Sequence, residues 1–280
     1  MPVIELKDQA GKWVRLESFP RRIISLVPSI TELLFDLGLE KEVVGITKFC
    51  VRPAHWFRSK PRVGGTKTVS IEKVAGLSPD LIIANKEENI KTQVEALADA
   101  CPVYTSDISN LEQALGMIKD IGILTGKTTN AWEFATSIKN SFAGLTALEP
   151  RVRSCYLVWQ NPYISAGGDT FIDDMLERCG FENVFKNQAR YPETTIAEIL
   201  QLNCELLLLS SEPFPFKEKH IPLIWREMEG ARNTRQGNKL AIQLVDGEMF
   251  SWYGSRLKLA PLYFRQLQTM VITGKSDFSQ

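Results

Sequence analysis

Two stretches of the chain, 125 positions apart, repeat one pattern. Ser70, Ile71, Val74, Leu77 and the run Leu81-Ile82-Ile83 are answered by Thr195, Ile196, Ile199, Leu202 and Leu206-Leu207-Leu208. Each stretch holds a hydroxyl residue able to cap a helix, a helix with one apolar face, and a short apolar strand. Any two capped helix–strand units look alike to this degree, so the match leaves coincidence open. It nevertheless restricts the fold, because strands separated by amphipathic helices bury themselves in a parallel, helix-covered sheet.

The rest of the chain extends that α/β pattern. Residues 3–6 and 11–16 alternate about an Asp8/Gly11 turn and predict a hairpin. Residues 22–27 predict a buried strand closed by Pro28, and Ser29 to Glu32 form an S-x-x-E capping box opening a helix that Gly38 stops. A strand at 43–46, a long loop to Pro61, the helix from Ser70, a strand at 80–84 and helices near Val94 and from Asn110 to Leu124 follow. From 127 to 148, Ala135, Ile138, Phe142 and Leu145 recur at three- and four-residue spacing. They predict one long helix of roughly 30 Å, ended by Pro150. The βα pattern then restarts with strands at 155–159, 206–209 and 241–245. The expectation is two Rossmann-like lobes with central parallel sheets, joined by one long rigid backbone helix. The lobes are 1–126, with its hairpin at 1–20, and 150–280, and the bridging helix is 127–149. Two domains also suit 280 residues.

Composition narrows the function. Thirty-three Lys and Arg balance thirty-three Asp and Glu, so the chain lacks the positive field that nucleic acid or an anionic membrane attracts. Apolar runs such as Leu206 to Leu209 are far short of the about 20 residues that span a bilayer. The five cysteines are an odd number with no C-x-x-C spacing, which predicts buried free thiols in a reducing compartment. With no leader pattern at Met1, the expected compartment is the cytoplasm. It is instead the periplasm or an anchored surface position if a leader has been removed.

Catalytic signatures are sparse. Two histidines, His55 and His220, have no metal-binding spacing, and no nucleophile elbow, P-loop or dinucleotide fingerprint is present. Gly167-Gly168-Asp169 precedes a helix whose N-terminus could take an anion, or Asp169 simply caps that helix. Aromatic residues stand out in loops at strand ends: Phe49, Trp56 and Phe57 in the first half, Trp159, Tyr163, Tyr191, Trp252 and Tyr253 in the second. Beside Arg52, Arg58 and Arg256 they would wall a cleft for a large planar or conjugated molecule.

Residues 22–34 (RIISLVPSITELL), 44–47 (VGIT), 63–65 (VGG), 71–74 (IEKV), 78–84 (SPDLIIA) and 180–185 (GFENVF) resemble the substrate-binding proteins of ABC importers for vitamin B12 and iron–siderophores, a class with a helical backbone. The resemblance covers about residues 20 to 265 and is nearest to the cobalamin binders. It implies two Rossmann-like lobes bridged by a helix, a ligand held between them without catalysis, and no intrinsic cofactor. It implies a ligand site at Pro28, Phe49, Trp56, Asn85, Trp159, Tyr163, Tyr191, Trp252, Tyr253 and Arg256. Tryptophans of the cobalamin binders fall on Thr66 and Asn85, and an aspartate falls on Ser251, so another corrinoid or an iron–siderophore chelate stays open. Glu72 and Glu198 are the implied docking residues for an ABC permease. A monomer that binds a small metal chelate and no nucleic acid is expected. The alternatives are a cytosolic sensor of such chelates, or an enzyme working in the same cleft.

Overall fold

A computed structural model describes residues 3–146, 148–231 and 240–273. The chain divides into two compact units. The first comprises the residues up to Ile108 together with Glu112–Asn140 and Trp252–Lys258. The second takes Ser109–Leu111, Ser141–Ser251 and the chain from Leu259 onward.

The first unit opens with the hairpin β1 (Ile4–Lys7) and β2 (Trp13–Leu16). One oxygen of Asp8 closes its turn on the Lys12 N–H, and the other takes the Thr105 N–H, tying the hairpin to the body of the unit. Then come β3 (Ile23–Ser25), α1 (Pro28–Asp36), β4 (Val43–Ile46), α2 (Ala54–Ser59), α3 (Ile71–Gly76), β5 (Leu81–Asn85), α4 (Lys91–Ala98), β6 (Val103–Ser106) and α5 (Leu111–Thr125). The parallel sheet runs β4-β3-β5-β6, and Ile24, Leu26, Val63, Val74, Ile82 and Leu97 pack in its core.

Three details depart from the sequence expectation. Pro28 does not close a strand: it sits in the first turn of α1, where its missing N–H costs nothing, and the N-cap is Val27 with no side-chain bond. The Ser29–Glu32 capping box therefore does not form, and Glu32 is used elsewhere. The loop to Pro61 contains α2. The long helix, α6 (Thr128–Ala143), is shorter than 127–148, since a turn with Leu145 N–H on Phe142 C=O follows it. Residues up to Asn140 of α6 belong to the first unit and the remainder to the second.

The second unit continues with β7 (Val152–Trp159), β8 (Tyr163–Ser165), α7 (Phe171–Arg178), β9 (Phe181–Asn183), β10 (Glu193–Thr194), α8 (Ile196–Gln201), β11 (Leu206–Ser210), α9 (Ile221–Ala231), β12 (Ala241–Val245), α10 (Glu248–Ser251) and α11 (Ala260–Thr273). Its sheet runs β10-β8-β7-β11-β12, with β9 beside the start of β7. Strands β7, β9, β11 and β12 are parallel, whereas β8 and β10 form an antiparallel edge. Leu157, Phe185, Ile199, Leu207, Leu209 and Ile224 are among its core residues.

The 125-residue offset is carried into three dimensions. Helix α3 maps onto α8 and strand β5 onto β11, end to end. Ser70 Oγ accepts the Lys73 N–H at 3.3 Å, and Thr195 Oγ1 accepts the Glu198 N–H at 3.2 Å. Arg22 donates to the Leu77 and Ser78 carbonyls, and Arg153 to the matching Leu202 and Asn203 carbonyls, so each arginine closes the end of its unit's helix. Ser78 and Asn203, in equivalent places, both have positive φ, 43° and 52°.

Candidate functional site

In a parallel sheet the carboxyl ends of neighbouring strands whose connections leave in opposite directions frame a crevice. In the first unit those strands are β3, followed by Pro28, and β5, ending at Asn85. In the second they are β7, ending at Trp159, and β11, followed by the segment from Ser211 to His220.

Phe49 lies just beyond β4 and is 51% exposed. Its turn is held by Lys48 N–H on Gly64 C=O and Cys50 N–H on Thr47 C=O. The ring packs close to Gly65, where a Cβ would come within 3.2 Å of it and of the Lys48 side chain. Next in sequence, the buried Cys50 thiol meets Thr31 at 3.0 Å and Thr47 at 3.1 Å, and Thr31 donates to Ser25. Trp159 closes β7 and is 41% exposed, with Phe214 standing edge-on at 5.6 Å. Tyr191 is 36% exposed beside Arg190. The register sets Tyr191 across from Ala166, level with Tyr156, so its backbone lies three residues short of Trp159 along β7.

The other expected ligand residues have structural partners. Trp56 is fully buried on α2 with Phe35 at 5.5 Å, a core ring rather than a loop ring. The Asn85 side chain is buried: its oxygen takes the Glu87 and Glu88 N–H groups, and its amide donates to Ser106. It holds the turn after β5, and Pro28, half-buried, starts α1. Tyr163 is buried and donates to Glu227 at 3.0 Å, and burial first, then that carboxylate, push its phenol up to about 12. Trp252 and Tyr253 are buried within the first unit, not the second as the linear reading had it, because Trp252–Lys258 returns there. Gly254 permits this return, since a Cβ would lie 2.5 Å from the Ser29 carbonyl oxygen. Arg256 grips Glu32 with two bonds of 2.9 Å, so the expected ligand arginine is committed to a largely buried ion pair.

The expected docking residues differ in character. Glu72 is exposed in the first turn of α3. Glu198 is half-buried and accepts the Thr194 hydroxyl at 2.9 Å, so it completes the turn into α8 without closing a capping box. At Gly167-Gly168-Asp169 the cap is Thr170, not Asp169. The glycine amides donate to Arg190 and Gln188 carbonyls and Asp169 accepts the Arg190 N–H, so the segment clamps the loop before Tyr191 rather than holding an anion.

Phe214 and Phe216 were not among the expected residues. Their signal was present in Glu212-Pro213-Phe214-Pro215-Phe216, two rings alternating with prolines directly after the strand that repeats β5. Among the described residues no cluster of His, Cys, Asp and Glu could hold a metal ion, and no helix is long and apolar enough to cross a membrane. All five cysteines are free and buried. Burial explains their unpaired state without recourse to a reducing compartment, which removes the support for the cytoplasm.

The chain is similar to known binding proteins over most of its length. A vitamin B12-binding protein of Vibrio parahaemolyticus is 26% identical over 194 residues, 68% of this chain and 70% of that protein. An uncharacterized ABC transporter substrate-binding lipoprotein of Bacillus subtilis is 26% identical over 266 residues, 91% of this chain and 82% of that protein. The crystal structure of a periplasmic vitamin B12-binding protein of Vibrio cholerae matches with TM-score 0.71 at 20% identity, covering 90% of this chain and 98% of the other. That of a periplasmic heme-binding protein of Pseudomonas aeruginosa matches with TM-score 0.74 at 18% identity, covering 92% and 95%. These two likenesses establish the fold. The sequence profile of the periplasmic binding protein family matches residues 23–219. On that match, and with the helix-covered parallel sheets described above, the chain belongs to the periplasmic binding protein family, whose members bind substrates for ABC transporters and are not enzymes.

Proposed function

We propose that this protein delivers a metal chelate to an ABC importer: a flat macrocycle, cobalamin, a related corrinoid or a heme-type chelate, as the first reading, and an iron–siderophore as the second. The observation that carries the reading is the pair of exposed rings, Phe49 after β4 and Trp159 after β7, each at a strand's carboxyl end and each braced by its own unit. Large π-faces held in place suit a conjugated macrocycle, because they supply apolar area with little rotamer entropy to lose. Relatives named for vitamin B12 and heme support the chelate class. Tyr191 is a peripheral member of the site. In the first unit Pro28, Trp56, Asn85, Trp252, Tyr253 and Arg256 contribute by packing and by shaping the backbone, and in the second Tyr163 contributes by packing.

The place of work is the periplasm or an anchored position at the cell surface, a reading that the family and the lipoprotein relative support. Glu72, exposed on α3, is the docking carboxylate we assign for the permease; in the second unit the 125-residue offset lands on Ala197, and Glu198, one place later, is the carboxylate we assign there. The division 1–126, 127–149 and 150–280 stays a proposal for the order along the chain, with Trp252–Lys258 packing in the first unit.

Titration with cyanocobalamin and with hemin, followed by tryptophan emission, tests the reading. Quenching that saturates with at least one of them is expected. Phe49→Ala and Trp159→Ala should each weaken it about tenfold, the size of a central aromatic contact. A flat emission trace with both chelates would overturn it.

A further inference from the structure

We propose that Phe214 is the positioning residue for Trp159, and thereby sets how tightly the second unit holds a flat ligand; this rests on the binding role proposed above. An indole exposed at the end of a strand, ahead of a turn in which Asn161 has φ 64°, would sample several rotamers unless a neighbour stopped it. Phe214 is that neighbour. Its ring meets Trp159 at 5.6 Å and 68°, the edge-to-face arrangement aromatic pairs favour.

Phe214 is itself fixed. Its N–H donates to the Val158 carbonyl at 3.2 Å, one residue before Trp159, so the two backbones are stitched together at the point of contact. Its ring packs on Phe216 at 4.8 Å and on His220 at 5.4 Å, and both of those are buried. The Phe216 N–H donates to the Ser210 carbonyl, and His220 Nδ1 accepts the Lys217 N–H at 2.8 Å, so the base of the stack is bonded to its own loop. Pro213 and Pro215 restrict the backbone on either side of Phe214. Four rings thus run from the buried His220 to the exposed Trp159. A ring already held in its bound orientation pays less ordering entropy when a ligand arrives.

The test is a double-mutant cycle using cyanocobalamin and hemin as probes. Phe214→Leu should weaken binding about two- to tenfold, the range of an aromatic pair, and Phe214→Tyr should restore it to within about twofold. In the Trp159→Ala background Phe214→Leu should change nothing, because its partner is gone. Equal loss in both backgrounds would overturn the proposal. So would no loss in either. A ligand-free readout separates this from failure of the binding role: in 5-fluorotryptophan-labelled protein, the 19F line that vanishes in Trp159→Phe should shift in Phe214→Leu. If neither probe binds the wild type, the binding role and the affinity claim fall together. A shifted line would then still uphold the seat, and an unmoved line would overturn it.

Discussion

Glu32 sits where burial and an ion pair pull its proton in opposite directions. Burial raises its carboxyl above the ordinary 4.5 and outweighs the lowering pull of Arg256, while Asp36 adds to the rise. A carboxyl that binds its proton more tightly folded than unfolded favours the fold at low pH, and loses that contribution as pH climbs through the folded value. The stability of wild type relative to Glu32→Gln should therefore fall as pH rises from about 4.5, then level off above the raised value; chemical denaturation at a series of pH values checks this. A difference that instead grew in favour of wild type would show the Arg256 pair to dominate. The thiols make a second residue-scale case. Burial lifts all of them, Cys101 to about 11 and Cys204 to about 12. Ellman's reagent should find no reactive cysteine in the native protein and five in guanidinium, since both thiolate and access are lacking.

At the scale of elements, the clamp on the Tyr191 loop depends on glycine. A Cβ on Gly168 would fall 1.8 Å from the Lys186 carbonyl oxygen, and that backbone cannot swing aside as a side chain could. Gly168→Ala should cost more than about 2 kcal/mol in urea titration. Gly230→Ala, in the last turn of α9 with nothing within 4 Å among the described residues, should instead be neutral or gain a fraction of about 1 kcal/mol. The elements themselves were legible because their determinants are local: hydroxyl caps at Ser70 and Thr195 set the register of α3 and α8, and apolar runs marked β5 and β11. Ser29–Glu32 misled for a reason also local. A proline in the first turn starts a helix as well as a capping box does, and it released Glu32 for Arg256, 224 positions away. Aromatic type alone did not separate Phe49 from Trp56, because only packing decides which ring faces the core. Trp56 fell on α2, a short helix that no capping or periodic signal announced. Phe214 carries no periodic signal of its own, because it stands between Pro213 and Pro215 in a segment that is neither helix nor strand.

For the whole molecule, the repeated pattern explains much of what was readable: α3 and β5 in the first unit and α8 and β11 in the second share bounds at a 125-residue offset. The return of Trp252–Lys258 to the first unit was not readable, since it rests on Gly254 meeting Ser29 and on a pair far apart in sequence. With Glu72 exposed, Glu72→Ala should leave stability within about 0.5 kcal/mol and chelate binding unchanged while weakening permease association, as pull-down against the transporter would measure. The central claim is that the exposed strand-end rings, Phe49 in the first unit and Trp159 in the second, serve chelate binding, and native mass spectrometry of the 31.6 kDa chain mixed with cyanocobalamin or hemin tests it most directly. One chelate per chain on the wild type, lost when both rings are replaced by alanine, is the predicted result; no adduct at all, or an adduct unchanged in the double variant, would contradict it.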